Sequence, residues 1–114
     1  MQDAFDLQYG DVVLIDFSPT TGHEQAGKRP AVVVSGNDYN ARSYMKFVAP
    51  LTKTVRDFPT NVHLLEGEED VYGDVLVDQV RSLDLANRPH QVIGHLSARR
   101  MAQISNVLKL IFGV

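Results

Sequence analysis

Apolar residues in this 114-residue chain come in short, β-branched runs, and their spacing changes once, at about residue 97. GDVVLIDFSP (10–19) opens on a turn glycine, runs through Val12, Val13, Leu14, Ile15 and Phe17, and stops at Ser18-Pro19, which predicts a strand. Pro30 leads into a second strand, AVVVS (31–35). GNDYNARSY (36–44) is a polar connection with room for a helical turn. KFVAPLT (46–52) is a third strand, with Pro50 marking a bulge or an edge. TNVHLL (60–65) alternates, setting Val62 and Leu64 on one face, and EGEEDVYGD (66–74) is an acidic turn region. VLVDQVRSLDL (75–85) reads as one strand carrying polar interruptions, and HQVIGHL (90–96) as a last short one.

From Ser97 the apolar positions Met101, Ile104, Val107, Leu108 and Ile111 recur at three- and four-residue steps, with Arg99, Arg100, Gln103, Asn106 and Lys109 between them. They predict one amphipathic helix, capped by Ser97 and followed by Gly113. Short strands with no crossover helices cannot build a doubly wound parallel sheet. The expected architecture is mainly β (α+β): a single domain over 1–114, a small, strongly bent antiparallel sheet or partly open barrel with a C-terminal α-helix packed on it. A barrel this small has little interior, so a polar site must lie outside it, on loops. Residues 1–8, with two aspartates and no apolar run, read as a loose N-terminal tail.

Composition narrows the function. The chain is 44% hydrophobic and 22% charged, which is globular, and it has no cysteine, which excludes a disulfide scaffold and thiolate chemistry. No apolar run approaches a membrane span, and the expected setting is the cytoplasm. The net charge of −3 hides a segregation. Residues 28–56 hold six basic residues (Lys28, Arg29, Arg42, Lys46, Lys53, Arg56) against Asp38. Residues 57–84 hold eight acidic ones (Asp57, Glu66, Glu68, Glu69, Asp70, Asp74, Asp78, Asp84) against Arg81. A positive surface on an acidic body would attract a polyanion; equally, such segregation can average out in three dimensions.

His23, His63, His90 and His95 lack metal-ligand spacing, so no metal is expected, and no cofactor motif is present. What remains is HEQAGKRP (23–30), with PLTKT (50–54) and DQVRSLD (78–84). These suit RNA cleavage without a metal. That reaction needs a base for the 2′-hydroxyl, a cation for the charge on the pentavalent phosphorane and a donor for the leaving 5′-oxygen. Arg29 offers a fork of donors matched to phosphate, Thr52 a short hydroxyl and Glu24 a carboxylate. The plain alternative is a loop salt bridge between Glu24 and Arg29, with Thr52 an exposed strand end.

GDVVLIDFSPTTGHEQAGKRPAVVVS, the strand ending in PLT and the later DQVRSLD resemble, in order, the motifs of the MazF/PemK family of toxin endoribonucleases from type II toxin–antitoxin systems. The resemblance covers residues 9–112. It implies an SH3-like, CcdB-like barrel forming a homodimer, and sequence-specific cleavage of single-stranded RNA to a 2′,3′-cyclic phosphate and a 5′-hydroxyl. It implies catalytic roles for Arg29, Thr52 and Glu24. Glu24 is the expected general base, although a neighbouring arginine pulls a carboxylate's pKa down, and His23 is the fallback. Gln25, Gln79, Arg81 and Ser82 are implied RNA contacts. Phe17, Thr20, His23, Lys28, Lys53 and Arg56 join them as RNA-binding candidates, and Phe17, Tyr39, Tyr44, Phe58 and Tyr72 are possible stacking platforms. Segment 53–61 is expected to help choose the cut site. The implied protein partner is a cognate antitoxin with an acidic, disordered C-terminal segment. The competing reading is a CcdB-like, non-enzymatic toxin that binds a gyrase-type target.

Overall fold

The computed structural model describes residues 4–16, 28–54 and 56–114. Seven strands form one antiparallel sheet: β1 (Asp11–Asp16), β2 (Lys28–Val33), β3 (Met45–Thr52), β4 (Asn61–Leu64), β5 (Gly73–Leu76), β6 (Arg81–Asp84) and β7 (His90–His95). The order is β4-β5-β3-β2-β1-β7, with β6 also pairing β3. Among the described residues the sheet stays open between β4 and β7. A short helix α1 (Asn37–Asn40) lies between β2 and β3, and helix α2 (Ala98–Phe112) ends the chain.

The bend arises at β3. Its partners Leu51 and Val48 are three residues apart, yet they pair with Val75 of β5 and Arg81 of β6, which are six apart. The surplus is taken up by a 3-10 turn, Val77–Gln79, whose Val77 is buried while Asp78 and Gln79 are exposed. The single strand expected over 75–85 is therefore two, broken without a glycine or proline. Gln79 and Arg81 consequently belong to different elements.

Each face of the bent sheet buries its own cluster, as strand alternation requires. Val12, Val32, Ala49, Leu51, Val62, Leu64 and Val75 point toward α2, which contributes Met101 and Ile104. Val13, Ile15, Ala31, Val33 and Val48 point the other way, where Leu83, Leu85, Ala4 and Leu7 cover them. The expected loose tail is corrected here: a 3-10 turn, Ala4–Asp6, docks on the sheet and Leu7 is fully buried. The cause is local. Few side chains are available to close that face, and the tail carries a leucine.

The helix forms as its sequence predicts. Ser97 Oγ accepts from the Arg100 backbone N–H at 3.3 Å, and Gly113 closes the end with φ 72°. Glu69 reaches back to the same terminus, accepting from the Ser97 N–H at 2.7 Å and its hydroxyl at 2.9 Å. Arg100, which sequence placed on the polar face, is buried and pairs with Glu68 at 2.8 Å. Among the described residues no helix is long and apolar enough to cross a membrane.

Leu7→Ala tests the docked tail. A buried leucine truncated to alanine should cost about 2–5 kcal/mol in urea unfolding, against about 0.5 kcal/mol or less for a residue on a free tail.

Candidate functional site

Strand register assembles the site. Asp74 of β5 lies opposite Thr52 of β3 on one side and His63 of β4 on the other. On the other edge of β3 the pairing with β2 ends at Ala31 and Pro50; Arg29, two residues further, pairs with Ile15 of β1. Residues directly opposite in an antiparallel pair share a face. His63, Asp74 and Thr52 thus form one polar row across three strands, on the face away from α2, and Arg29, opposite Ile15, lies on that same face. Arg29 is half-buried and Lys28, next to it, is exposed.

Beside this row opens a cleft of about 330 Å³ lined by Thr52, Thr54, Arg56, Phe58, Asn61, Leu76, Asp78 and Gln79. Thr52 stands at the end of β3, its Oγ1 accepting the Thr54 N–H at 3.2 Å. The 3-10 turn presents Asp78 and Gln79 from the opposite strand, so the insertion that bends the sheet also builds one wall. Gly73 makes the crossing possible: its φ is +122°, and a Cβ there would run into the Thr52 carbonyl.

Asp74 is the electrostatic centre of the wall. It is 1% exposed, and its Oδ1 accepts from His63 Nδ1 at 2.7 Å. Its Oδ2 accepts from the Arg56 backbone N–H at 3.1 Å and from Asn61 Nδ2 at 3.3 Å. Burial on its own would raise the carboxyl's pKa, but the donors from His63, Arg56 and Asn61 together outweigh it and hold the group below its ordinary value.

The sequence-predicted residues divide into three sets. Thr52, Arg56 and Gln79 meet in the cleft, and Arg29 shares the sheet face of Thr52 outside the cleft lining. Lys53 stays at the edge, its Nζ 5.2 Å from the Tyr72 ring centre. Arg81 and Ser82 sit on β6 opposite Val48 and Phe47, one step along from the cleft rather than in its lining. Glu24, Gln25, His23, Phe17 and Thr20 lie outside the described residues. Of the aromatic platforms, Phe58 is on the cleft. Tyr39 packs beside Phe47 with ring centres 5.7 Å apart, and Tyr44 meets Phe5 edge-on at 5.1 Å.

Sequence reasoning missed Asp78, Asn61, Thr54 and the His63–Asp74 pair. Asp78 was legible as part of DQVRSLD; the others become neighbours only through strand pairing. Among the described residues no group of three or more His, Cys, Asp or Glu side chains could hold a metal ion.

The profile of a family described as PemK-like, MazF-like toxin of type II toxin–antitoxin system matches residues 8–112. The chain belongs to this MazF/PemK family. It is 36% identical over 104 residues to the endoribonuclease toxin MazF of Escherichia coli K12, spanning 91% of this chain and 92% of that one. It is 42% identical over 95 residues to the endoribonuclease toxin ChpB of the same organism, covering 78% and 79% of the two chains. The crystal structure of MazF from Deinococcus radiodurans superposes with a TM-score of 0.80 at 32% identity, covering 95% of this chain and 97% of that one. A MazE–MazF complex from the same organism gives a TM-score of 0.83 at 32% identity, covering 95% and 96%. The expected family fold, with its bent antiparallel sheet and terminal helix, is therefore present.

The lowered pKa of Asp74 gives a signed pH prediction. A carboxyl with a folded-state pKa below its unfolded one stabilises the fold fully above about pH 4, and that contribution disappears as pH falls through the lowered value. Asp74→Asn should therefore cost about 1–3 kcal/mol at pH 7. In urea unfolding, the gap to wild type should narrow between about pH 5 and pH 2.

Proposed function

We propose that this chain is the toxin of a toxin–antitoxin pair and a sequence-specific endoribonuclease. It cuts single-stranded RNA by attack of the substrate's 2′-hydroxyl on the adjacent phosphorus, needs no metal, and leaves a 2′,3′-cyclic phosphate and a 5′-hydroxyl. In the cell it acts in the cytoplasm, blocking translation and growth. The observation that supports this reading is that Arg29 and Thr52 share one face of the sheet, Thr52 lining a cleft with Arg56, Asn61, Asp78 and Gln79. The relatives in Escherichia coli are named as endoribonucleases, which supports the same activity.

In this mechanism the attacking oxygen already belongs to the substrate, so holding the sugar and phosphate in line supplies much of the acceleration. The Arg29 guanidinium carries two parallel donors to the phosphate oxygens, stabilises the dianionic phosphorane and hydrogen-bonds the departing 5′-oxygen, which takes its proton from water. The Thr52 hydroxyl donates to a second phosphate oxygen. Two carboxylates can take the 2′-hydroxyl proton: Glu24, which the sequence motif favours, and Asp78, which shares the cleft with Thr52. Gln25, Gln79, Lys28 and Arg56 hold the strand, Arg81 and Ser82 extend the track, and Phe58, exposed at the cleft, stacks a base.

A cognate antitoxin would compete for the same basic track with an acidic C-terminal segment; the MazE–MazF complex of similar fold supports such a partner. A homodimer would cover the apolar end of α2, where Leu110 and Phe112 are exposed. A CcdB-like poison of a gyrase-type protein would give Arg29, Thr52 and the cleft no joint purpose, so the ribonuclease reading is preferred.

Incubation with a long unstructured RNA in EDTA should give discrete cuts with cyclic phosphate ends. Arg29→Ala and Arg29→Lys should each lose about 10²-fold or more in rate, because a point charge lacks the planar fork. Uncut RNA, or cutting that returns only with a divalent ion, would sink the proposal. The base is identified separately, from pH–rate profiles of Glu24→Gln and Asp78→Asn. The variant that loses the ascending acid limb names the group.

A further inference from the structure

The Asp74 carboxylate lies under the cleft, and the chemistry above makes no use of it. We infer that Asp74 is a positioning residue for RNA selection: it pins the 56–61 wall of the cleft and so fixes where Arg56 and Phe58 meet the substrate. This rests on the ribonuclease reading of the site.

The geometry is that of an anchor. One carboxylate oxygen accepts both the Arg56 backbone N–H and the Asn61 side-chain amide, at the two ends of the loop. The loop closes on itself as well: Asn61 Nδ2 also donates to the Arg56 carbonyl at 3.3 Å, and the Asn61 N–H donates to the Phe58 carbonyl at 3.0 Å. The other oxygen is held by His63, whose strand is β4, and Asp74 itself faces Thr52 across β5 and β3. A single buried group thereby sets the distance between the loop and the phosphate-handling hydroxyl. Only the backbone of Arg56 is engaged by Asp74, which leaves its guanidinium on the cleft with the 56% exposed Phe58 ring.

A mid-sheet position filled by an ionised carboxylate costs desolvation that an apolar residue would avoid. The expense is explained if the group is kept to order a neighbouring segment. Bases of single-stranded RNA are read by stacking and edge contacts, so the side chains that read them must be held at a set distance from the scissile phosphate. Loss of the anchor should therefore weaken RNA binding and blur the choice of site while leaving the chemistry of a bound phosphate largely intact.

The test compares wild type, Asp74→Asn and the double variant His63→Val/Asp74→Val on one unstructured RNA. It reads kcat, KM, the map of cuts and the exchange rate of the Arg56 amide. Asparagine keeps an acceptor for the loop, and its NH₂ can face the other His63 tautomer, so its map should be unchanged and its KM within about threefold. The double variant replaces both partners with apolar groups, which spares the strand packing but strands the loop's donors. It should speed Arg56 amide exchange, raise KM about tenfold or more with kcat within about threefold, and add secondary cuts. If the double variant does not fold, Asp74→Ser, too short to reach the loop, is read in the same way. A folded variant with fast Arg56 exchange but wild-type KM and map overturns the inference alone. A wild-type protein that leaves the RNA intact overturns the ribonuclease reading, and this inference with it.

Discussion

Two strands share one edge of β3, and the rest of the molecule adjusts to that constraint. β5 pairs at Leu51 and Thr52, β6 at Met45 to Val48, and three residues too many lie between them. A bulge of that size cannot stay in the plane of a sheet, so Val77–Gln79 coils into a 3-10 turn anchored by buried Val77. The turn bends the sheet enough for each face to close on its own core. It also thrusts Asp78 and Gln79 out beside the end of β3, where Thr52 sits. Fold and cleft thus have a common origin in one register offset.

Charge is spent inside the protein more than its distribution along the chain suggests. Of the acidic residues in 57–84, Asp74 is buried under the cleft wall, and Glu68 pairs with Arg100. Glu69 and Asp70 hold the junction of β7 and α2 through Ser97 and the His95 N–H. Lys46, counted on the basic side, is buried against the Phe5 ring and the Ser43 carbonyl. Four members of the acidic block thus act as structural braces, yet only Asp74 is withdrawn from solvent, and Asp78 stays exposed in the cleft lining beside Arg56.

Much of this was legible from one dimension. The strands expected at 31–35, 46–52, 60–65 and 90–96 and the helical period after Ser97 are met by β2, β3, β4, β7 and α2 to within a few residues, because period and punctuation are local properties. The 3-10 break was hidden since VLVDQVRSL carries no glycine or proline, and only the competition for one strand edge forces it. Leu7 looked free because nothing in the tail's own sequence reveals that a sheet face lacks cover. The His63–Asp74–Asn61 cluster spans β4, β5 and the loop before β4, and no spacing along the chain announces it.

The division of labour within the site follows from the rigidity of its supports. Thr52 and Asp74 pair across a hydrogen-bonded sheet, and Arg29 is held on the same face by its pairing with Ile15, so neighbouring strands fix their positions. Arg56 and Phe58 sit on a connection held to the sheet by the Asp74 carboxylate and by Asn61 at the start of β4. A phosphodiester is the same in every RNA, so the groups that act on it gain from strand-borne placement. The bases differ, and the loop that meets them can change in sequence without disturbing the row. On the proposed function, such an arrangement would let one sheet keep its reaction while its choice of cut site varied with the segment that Asp74 anchors.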